Sequence, residues 1–337
     1  MDLSIGTPVD PVPAVVREAL ASAANSPGYP QTAGTPRLRE AAAGWLARRH
    51  GVSVDPGAVL PVIGTKEIIA SLPALLGCGP GDTVVYPELA YPTYEIGARL
   101  AGARAVAADG LASLGPERVR LVWVNSPANP TGRVLPAAHL RKMADWARER
   151  DAVLASDECY LDLAWEAEPV SVLHPGVSGG SADRMLAVYS LSKRSNLAGY
   201  RAGFVTGDPA LVAELREVRR HAGLMMPTPV QAAMAAALED DSHALQQRAR
   251  YAARRARLRA ALEQAGWTID HSEAGLYLWA ARPGLDCWGA VGALAGTGIL
   301  VAPGEFYGPA GGGHIRMALT ATDERIDAAV GRLGALE

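Results

Sequence analysis

The chain has 337 residues, of which 49% are hydrophobic and 20% are charged, and its formal net charge is −3. This length suits a large domain with a smaller one, and the charge gives no general attraction for nucleic acid or an anionic membrane. No stretch of eighteen apolar residues or leader-like start is visible, so we expect a cytoplasmic protein without a membrane segment. The three cysteines, Cys78, Cys159 and Cys287, lack the spacing of a metal site and are expected to be reduced.

Strands and helices alternate along the first two thirds of the chain. Thr35 is a suitable N-cap with Pro36 at the first helical position, and an apolar stripe at helical spacing follows as far as Gly51. Strands that alternate with helices predict a mainly parallel sheet covered on both faces. The further predicted elements are a helix start at GTKE, a strand at Thr83–Tyr86, a helix after Pro92, strands near 103–106 and at Val119–Val124, a helix over about Pro136–Arg150, and strands at Ala152–Ser156 and Met185–Ser190.

The pattern changes after about Pro227. A long region rich in alanine and arginine has helical character, and short strands are predicted near Gly275–Ala280 and His314–Leu319. This change indicates a second unit in the C-terminal third.

Polar residues follow three of the predicted strands. Asp157 directly follows the strand at Ala152–Ser156, and a buried carboxylate without a partner costs several kcal/mol. A protonated ring nitrogen would be such a partner, although Asp157 can also cap a following helix. Lys193 lies just past another strand, among hydroxyls and eight residues before Arg201. Ligands of open α/β sheets bind at the carboxyl ends of strands, but a lone lysine is commonly a solvated surface group.

The order Asn129, Asp157, Tyr160, Lys193 and Arg201 along the chain resembles the class I/II aminotransferases of fold type I, which use pyridoxal 5'-phosphate. Within that family, several segments are similar to the actinobacterial N-succinyldiaminopimelate aminotransferases of lysine biosynthesis. These segments are SIGTPVDPVP, GYPQTAGTP, PVIGTKE, PELAYPTYEIGARLAGA, SDECYL, SLSKRSNLAGYRAGF, HSEAGLYLW, ILVAPGEFYGPAG and IRMALTATDER.

The resemblance implies a two-domain α/β fold. Its large, cofactor-binding domain would have a mainly parallel sheet between helices and span residues 29–226. A smaller α+β domain would span residues 227–337, and an N-terminal segment, residues 1–28, would join it.

The resemblance also implies roles at the cofactor ring. Lys193 would bond to the cofactor's aldehyde carbon and then move the proton of the substrate α-carbon. Asp157 would keep the pyridine nitrogen protonated. Tyr160 and Asn129 would donate hydrogen bonds to the ring's phenolic oxygen. Tyr160 can also be read as a core aromatic, and Asn129 as a turn residue before Pro130.

The cofactor's phosphate would lie at a helix start, where backbone N–H groups favour anions. The residues that the resemblance assigns to it are Gly64, Thr65 and Lys66 in one segment and Ser190, Ser192 and Arg201 in another.

Two tyrosines complete the expected cofactor site. Tyr91 would stack on the cofactor ring. Tyr29 would reach the phosphate of a neighbouring subunit, which implies a homodimer with shared active sites.

Arg316 would pair with the substrate α-carboxylate, since a planar guanidinium suits a carboxylate; a surface salt bridge is the alternative. The backbone of Gly6 and the side chain of Asn129 would also lie against the substrate. The distal carboxylate needs a further group, and Lys66, Arg133 and Arg194 remain open candidates.

We therefore expect an enzyme that uses amino acids and 2-oxo acids and needs no metal, membrane or nucleic acid. Its reaction would be transamination between N-succinyl-LL-2,6-diaminopimelate and 2-oxoglutarate, with glutamate as amino donor. The alternatives are an aminotransferase of another amino acid in secondary metabolism, a β-lyase, racemase or decarboxylase with the same cofactor, and a cofactor-bound transcription regulator.

Overall fold

In a computed structural model, residues 1–111, 114 and 117–334 are described, and they form two β-sheets flanked by helices. Residues 335–337, the end of the expected smaller domain, lie outside the described residues. The helices are α1 (Ala14–Ser22), α2 (Pro36–His50), α3 (Thr65–Leu75), α4 (Thr93–Leu100), α5 (Ala137–Glu149), α6 (Pro175–Ser178), α7 (Leu191–Arg194), α8 (Pro209–His221), α9 (Thr228–Glu239), α10 (Ser242–Gln264), α11 (Cys287–Gly296) and α12 (Asp323–Leu333).

The larger sheet has seven strands. They are β1 (Val59–Ile63), β2 (Thr83–Tyr86), β3 (Arg104–Ala107), β4 (Val119–Asn125), β5 (Val153–Asp157), β6 (Met185–Ser190) and β7 (Ala202–Gly207). Their order across the sheet is β1-β7-β6-β5-β4-β2-β3, and the strands from β6 to β3 in this order are mutually parallel. The predicted mainly parallel sheet is confirmed.

Strand β7 runs antiparallel to both of its neighbours, β6 and β1. The connection from β6 to β7 contains only the four-residue helix α7 and a short 3-10 turn. A parallel return needs a longer crossover, so the chain turns back beside β6. β7 was not predicted as a strand from the sequence.

Both faces of this sheet are covered, as predicted. Helices α2, α5 and α9 contribute to the apolar core on one face, and α3, α4 and α8 contribute to the core on the other. The predicted start of α2 is confirmed, since Thr35 Oγ1 accepts a hydrogen bond from the backbone N–H of Leu38 at 3.3 Å. Its predicted end is confirmed too, because Gly51 takes the left-handed conformation at φ 63°.

The smaller sheet is antiparallel and has the strand order β10-β11-β9-β8. Its strands are β8 (Thr268–Asp270), β9 (Tyr277–Ala281), β10 (Ala302–Pro303) and β11 (Ile315–Ala318). Helices α10, α11 and α12 contribute to the separate apolar core of this sheet. The strands predicted near 275–280 and 314–319 correspond to β9 and β11.

The packing of two segments differs from the expected division of the chain. Helix α9 packs on α1 and α2 in the core of the larger sheet, although residues after 226 were expected in the smaller unit. The N-terminal segment is divided: Leu3 is buried in the core of the smaller sheet, whereas Val16 of α1 is buried beside α9. An alanine-rich helix such as α9 can be buried against either core, so composition alone did not assign it.

A buried arginine ties the N-terminal segment to the long helix α10. Arg254 has only 2% of its side chain exposed and donates two hydrogen bonds of 2.7 Å to the carboxylate of Asp10. Its Nε atom also donates to Asp323, the first residue of α12, at 3.1 Å. The pair holds residue 10 close to the smaller sheet and its helices.

Over residues 1–111, 114 and 117–334, no helix is both long enough and apolar enough to cross a membrane.

Candidate active site

A cavity of about 580 Å³ lies where the polar ends of β5 and β6 meet the start of α3 and the N-terminal segment. Most of the predicted site residues line it. They are Gly6, Thr65, Lys66, Tyr91, Asn129, Asp157, Tyr160, Ser190, Ser192, Lys193, Arg201 and Arg316.

Lys193 lies in the short helix α7, directly after β6. Its Nζ atom donates a hydrogen bond to the backbone carbonyl of Gly6. Burial lowers the pKa of Lys193, the charges of Arg316 and Arg201 lower it further, and Tyr277 offsets part of the effect. A lysine in this environment more readily gives the neutral amine that a nucleophile requires.

Asp157 is the last residue of β5 and has only 5% of its surface exposed. The hydroxyl of Tyr94 donates to its Oδ2 atom at 2.7 Å, and the backbone N–H of Cys159 donates to Oδ1 at 3.2 Å. Burial raises the pKa of Asp157 above its usual value despite these two hydrogen bonds. Residues 159–162 form turns and no helix follows Asp157 directly, so Asp157 does not cap one.

Asn129 and Tyr160 face the same cavity from two loops. The backbone N–H of Asn129 donates to Asn125 Oδ1 at 2.7 Å, which fixes the loop after β4. The hydroxyl of Tyr160 lies 3.2 Å from that of Tyr277. Burial raises the pKa of Tyr160 well above its ordinary value. Tyr160 also belongs to the apolar core of the smaller sheet, so it is both a core aromatic and a cavity residue.

The start of α3 and the segment after β6 together form a set of anion-binding groups. Gly64 precedes α3 with φ 75°, and a Cβ atom there would overlap the guanidinium of Arg201. Arg201 is itself in the left-handed conformation, and its Nη1 atom donates to the carbonyl of Ala198 at 2.9 Å. The hydroxyls of Thr65, Ser190 and Ser192 line the same cavity. A guanidinium, three hydroxyls and a helix N-terminus suit a phosphate group.

Tyr91 lines the cavity and meets the ring of Tyr94 edge-on, with 6.1 Å between the centroids. Lys66 Nζ lies 5.7 Å from the centroid of the Tyr91 ring. Tyr29 is not part of this lining and is 94% exposed. Its predicted contact with a neighbouring subunit stays a prediction.

Arg316, on β11, is 7% exposed and has no acidic partner among the described residues. Its guanidinium donates to Asn129 Oδ1 at 2.8 Å and to the carbonyl of Ser4 at 2.7 Å. Within the described part of the chain its Nε atom has no hydrogen-bond partner. The surface salt bridge considered for Arg316 is therefore not formed. A buried cation without an anion suits the carboxylate of a ligand.

The three cations considered for a distal carboxylate lie in different places. Lys66 lines the cavity, whereas Arg133 lines a separate cavity of about 380 Å³. Arg194 is 5% exposed and paired with Asp162 at 2.6 Å. Of the three, only Lys66 faces the site.

Two further residues of the lining, Tyr277 and Cys159, were given no role from the sequence. Tyr277 lies on β9, and its place beside Arg316 follows from the pairing of β9 with β11. The Sγ atom of Cys159 lies 3.4 Å from Thr65 Oγ1. The sequence predicted a short strand near Gly275–Ala280 but not which cavity the Tyr277 side chain would face.

The family described as aminotransferase class I and II matches residues 1–333. The chain is 63% identical to a probable aminotransferase of Mycobacterium tuberculosis, over 99% of this chain and 80% of that protein. It is 61% identical to the 4-dedimethylamino-4-oxo-anhydrotetracycline transaminase OxyQ of Streptomyces rimosus, over 99% of this chain and 92% of that protein. The solved structure of a probable N-succinyldiaminopimelate aminotransferase from Thermus thermophilus has a TM-score of 0.88 and 32% identity, covering 100% of this chain and 95% of that one.

The matching fold and the cavity residues agree with these relationships. The chain belongs to the class I and II aminotransferases, a family of enzymes that depend on pyridoxal 5'-phosphate.

Proposed function

We propose that this aminotransferase exchanges an amino group between N-succinyl-LL-2,6-diaminopimelate and 2-oxoglutarate, with glutamate as the other amino acid. The observation that carries the transaminase part is Arg316, a buried cation without an anion in the cavity of Lys193. The choice of the succinylated substrate rests on the similar segments named above and on the resemblance to the T. thermophilus protein.

The cavity residues fit pyridoxal 5'-phosphate at both ends of the cofactor. At one end, the buried carboxylate of Asp157 accepts two hydrogen bonds but has no cation beside it among the described residues. A protonated pyridine nitrogen would be such a cation. At the other, Arg201 and the start of α3 would hold the phosphate, with Ser190, Ser192 and Thr65 as hydroxyl donors. When bound, the cofactor supplies an electron sink for the negative charge that develops at the substrate α-carbon.

Lys193 is the proposed group for proton transfer. Its lowered pKa favours the neutral amine. The amine can accept the proton of the substrate α-carbon at Nζ and then donate it to the cofactor carbon. Tyr160 and Asn129 would hold the cofactor's phenolic oxygen, and Tyr91 would cover one face of the ring. The buried side chains of Tyr160 and Asn129 would also keep water from the reacting atoms.

Arg316 would orient the substrate through its α-carboxylate, and Gly6 would line the opposite wall with its backbone. Lys66 is exposed at the edge of the cavity, so it is our candidate for the distal carboxylate. This arrangement would place the α-carbon in the buried part of the cavity and the succinyl group toward the opening.

A second candidate function is transamination in a secondary-metabolite pathway. It is favoured by the 61% identity to OxyQ, which is higher than the 32% identity to the T. thermophilus protein. The residues proposed for the cofactor serve either function, because both reactions are transaminations.

A homodimer in the cytoplasm completes the proposal. Tyr29 is almost fully exposed, as a residue that reaches into a neighbouring subunit would be in a single chain. The cysteines are free in the described structure, which is typical of a reducing compartment.

The test is a set of single-turnover absorbance measurements on the protein reconstituted with pyridoxal 5'-phosphate. N-succinyl-diaminopimelate, glutamate and a panel of other amino acids are added in turn. Loss of the visible cofactor band with the first two, and its return with 2-oxoglutarate, is the expected result.

Other outcomes separate the alternatives. A band that responds to glutamate but not to the succinylated compound would reject the proposed substrate. If the enzyme loaded with glutamate then reacts with a 4-oxo-anhydrotetracycline, the second candidate is supported. Release of carbon dioxide or ammonia without transfer to 2-oxoglutarate would indicate a decarboxylase or lyase.

A further inference from the structure

Tyr277 connects the residues proposed for the substrate with those proposed for the cofactor. The guanidinium carbon of Arg316 lies 3.9 Å from the centroid of the Tyr277 ring, a close cation–π contact. The hydroxyl at the other end of the side chain lies 3.2 Å from the hydroxyl of Tyr160. One buried side chain thus contacts both groups.

Tyr307 offers a comparison within the same site. Its ring also lies against the Arg316 guanidinium, at 4.7 Å. Among the described residues, however, only Tyr277 joins its hydroxyl to Tyr160. Burial raises the pKa of Tyr307 to about 12, so its phenol stays protonated over the working range.

The phenol of Tyr277 is affected in the opposite direction. Burial raises its pKa, but the charges of Arg316 and Lys193 and the hydrogen bond from Tyr160 outweigh burial, and the net pKa is lowered. Six titratable groups of the described residues are close enough to Tyr277 for the charge of one to affect the pKa of the other. They are Arg316 on β11, Lys193 on α7, Cys159 and Tyr160 in the loop after β5, Tyr251 on α10, and Tyr307 in the turn at residues 304–307.

The backbone of Gly6 packs closely against the Tyr277 hydroxyl. A Cβ atom at Gly6 would overlap that hydroxyl. The carbonyl of the same glycine accepts the hydrogen bond from Lys193 Nζ. The tyrosine hydroxyl is therefore held between Tyr160 and the backbone that contacts the lysine.

We propose that Tyr277 is a positioning residue that sets how tightly Arg316 holds a substrate carboxylate, through the stacking of its ring and through the hydroxyl that it shares with Tyr160. The inference rests on the proposed role of Arg316. It does not depend on which amino acid is the natural substrate.

The ring and the hydroxyl contribute in different ways. The ring supports the guanidinium at every pH. The hydroxyl, once ionised, places a negative charge beside Arg316 and opposes a bound carboxylate. Affinity for a carboxylate should therefore fall as the pH rises through the pKa of Tyr277.

The test uses glutarate, which has two carboxylates and no amino group, and measures its dissociation constant from the holoenzyme through the absorption of the bound cofactor. Tyr277→Leu removes the ring and should raise this constant by about threefold to thirtyfold. The matched Tyr307→Leu should raise it by less, because that ring lies farther from the guanidinium. In the half-reaction with glutamate, Tyr277→Leu should raise KM more than it lowers kcat.

Tyr277→Phe keeps the ring and removes the hydroxyl. At the alkaline end of the titration it should bind glutarate at least about threefold more tightly than the wild type, because no phenolate forms beside Arg316. Tyr307→Phe removes a hydroxyl without a contact to Tyr160 and should keep the wild-type pH dependence. Circular dichroism and cofactor content check that each variant is folded.

Two results would overturn the inference: glutarate binding by Tyr277→Leu as tight as that of the wild type, or an unchanged pH dependence in Tyr277→Phe. If Tyr277→Leu does not fold, the pH dependence of Tyr277→Phe decides alone. These results can be told apart from an error in the proposed substrate. If that substrate is wrong, N-succinyl-diaminopimelate will not react, but the glutarate measurements will still give the expected differences.

Discussion

Lys193 Nζ donates a hydrogen bond to the carbonyl of Gly6, a residue 187 positions earlier in the chain. The start of the chain is held beside the smaller sheet, because Asp2 forms an isolated bridge with Leu300 and Leu3 is buried in the core of that sheet. The N-terminal segment thus forms a wall of the cavity with its backbone. The geometry at Lys193 therefore depends on a segment far from it in sequence.

Substitution of Gly6 by alanine should disturb this wall. The added Cβ would overlap the Tyr277 hydroxyl, so the N-terminal segment or the tyrosine must shift. We expect the free energy of unfolding to fall by about 1–3 kcal/mol, as for other overpacked sites. We also expect KM for glutamate to rise, because Tyr277 supports Arg316. Urea unfolding and steady-state kinetics measure the two effects.

The matched control is Gly292→Ala in α11. Apart from its chain neighbours and the nearby backbone of its own helix, a Cβ at Gly292 meets no atom of the described residues within 4 Å, and alanine is the better helix former. The variant should be as stable as the wild type or slightly more so. Equal stability and KM in Gly6→Ala and in the wild type would contradict the prediction.

The chain has only three lysines, Lys66, Lys142 and Lys193, which makes the cofactor-bearing lysine simple to identify. Borohydride treatment of the holoenzyme followed by peptide mapping should find the cofactor on Lys193. Lys193→Ala should lose the visible band of the bound cofactor and lower turnover by about 10²- to 10⁴-fold. Lys142→Ala, on the exposed side of α5, serves as the control. Cofactor attached to another lysine would reject the assignment.

Local patterns were enough to predict several parts of the structure. The start and end of α2 were predicted because Thr35 and Gly51 act through their own backbone neighbours. The ends of β5 and β6 were predicted from apolar runs that break into polar residues, and this placed Asp157 and Lys193 at one edge of the sheet.

Features that depend on distant contacts were not predicted. The sequence does not indicate that β9 pairs with β11, and so it did not indicate that Tyr277 lies under Arg316. The basic residues of α10 resemble a solvated face, yet Arg254 is buried because Asp10 and Asp323 meet it there. The contact of Tyr29 with a second chain was predicted through the family resemblance and stays a prediction.

Asp157 should make the stability of the apoprotein depend on pH. Its pKa in the folded state is raised by burial, so its contribution to stability is complete below the unfolded pKa of about 3.9 and is lost as the pH rises through the folded pKa. Asp157→Asn has no such loss. The melting temperature of the variant minus that of the wild type should therefore increase with pH in the apoprotein.

Pyridoxal 5'-phosphate should change this comparison, because the protonated ring nitrogen proposed to lie beside Asp157 would form an ion pair with a carboxylate but not with an amide. Cofactor should then stabilise the wild type more than Asp157→Asn. Asp145→Asn, at an exposed position of α5, controls for the removal of a charge alone. A constant difference in melting temperature across the pH range would reject a raised pKa for Asp157.

Arg194 and Asp162 form a buried ion pair next to Lys193 and Tyr160 in the sequence. Arg194 Nε lies 2.6 Å from Asp162 Oδ2, and 5% and 11% of the two side chains are exposed. Although burial raises the pKa of Asp162, the contacts with His50 and Arg194 lower it well below its usual value. A carboxyl group with a lowered pKa stabilises the fold above its unfolded pKa of about 3.9, and this contribution is lost as the pH falls through the folded pKa.

Asp162→Asn should be strongly destabilising, because it removes the closer charge partner of the buried Arg194 guanidinium and leaves only Asp241, at 3.8 Å. A loss of about 3–5 kcal/mol in the free energy of unfolding is expected from urea denaturation at neutral pH. The double substitution Asp162→Leu with Arg194→Met should lose less, since no charge remains buried. Glu239→Gln, which breaks the exposed pair with Arg37, should cost no more than about 1 kcal/mol.

The same pair should influence the cofactor site. Arg194 follows Lys193 directly, and Asp162 lies two residues after Tyr160, so the ion pair joins the two segments that carry these side chains. Asp162→Asn should therefore also bind pyridoxal 5'-phosphate more weakly than the wild type under conditions in which both proteins are folded, as measured by equilibrium titration. Unchanged cofactor affinity together with the expected loss of stability would show that the pair supports the fold but does not position Lys193 and Tyr160.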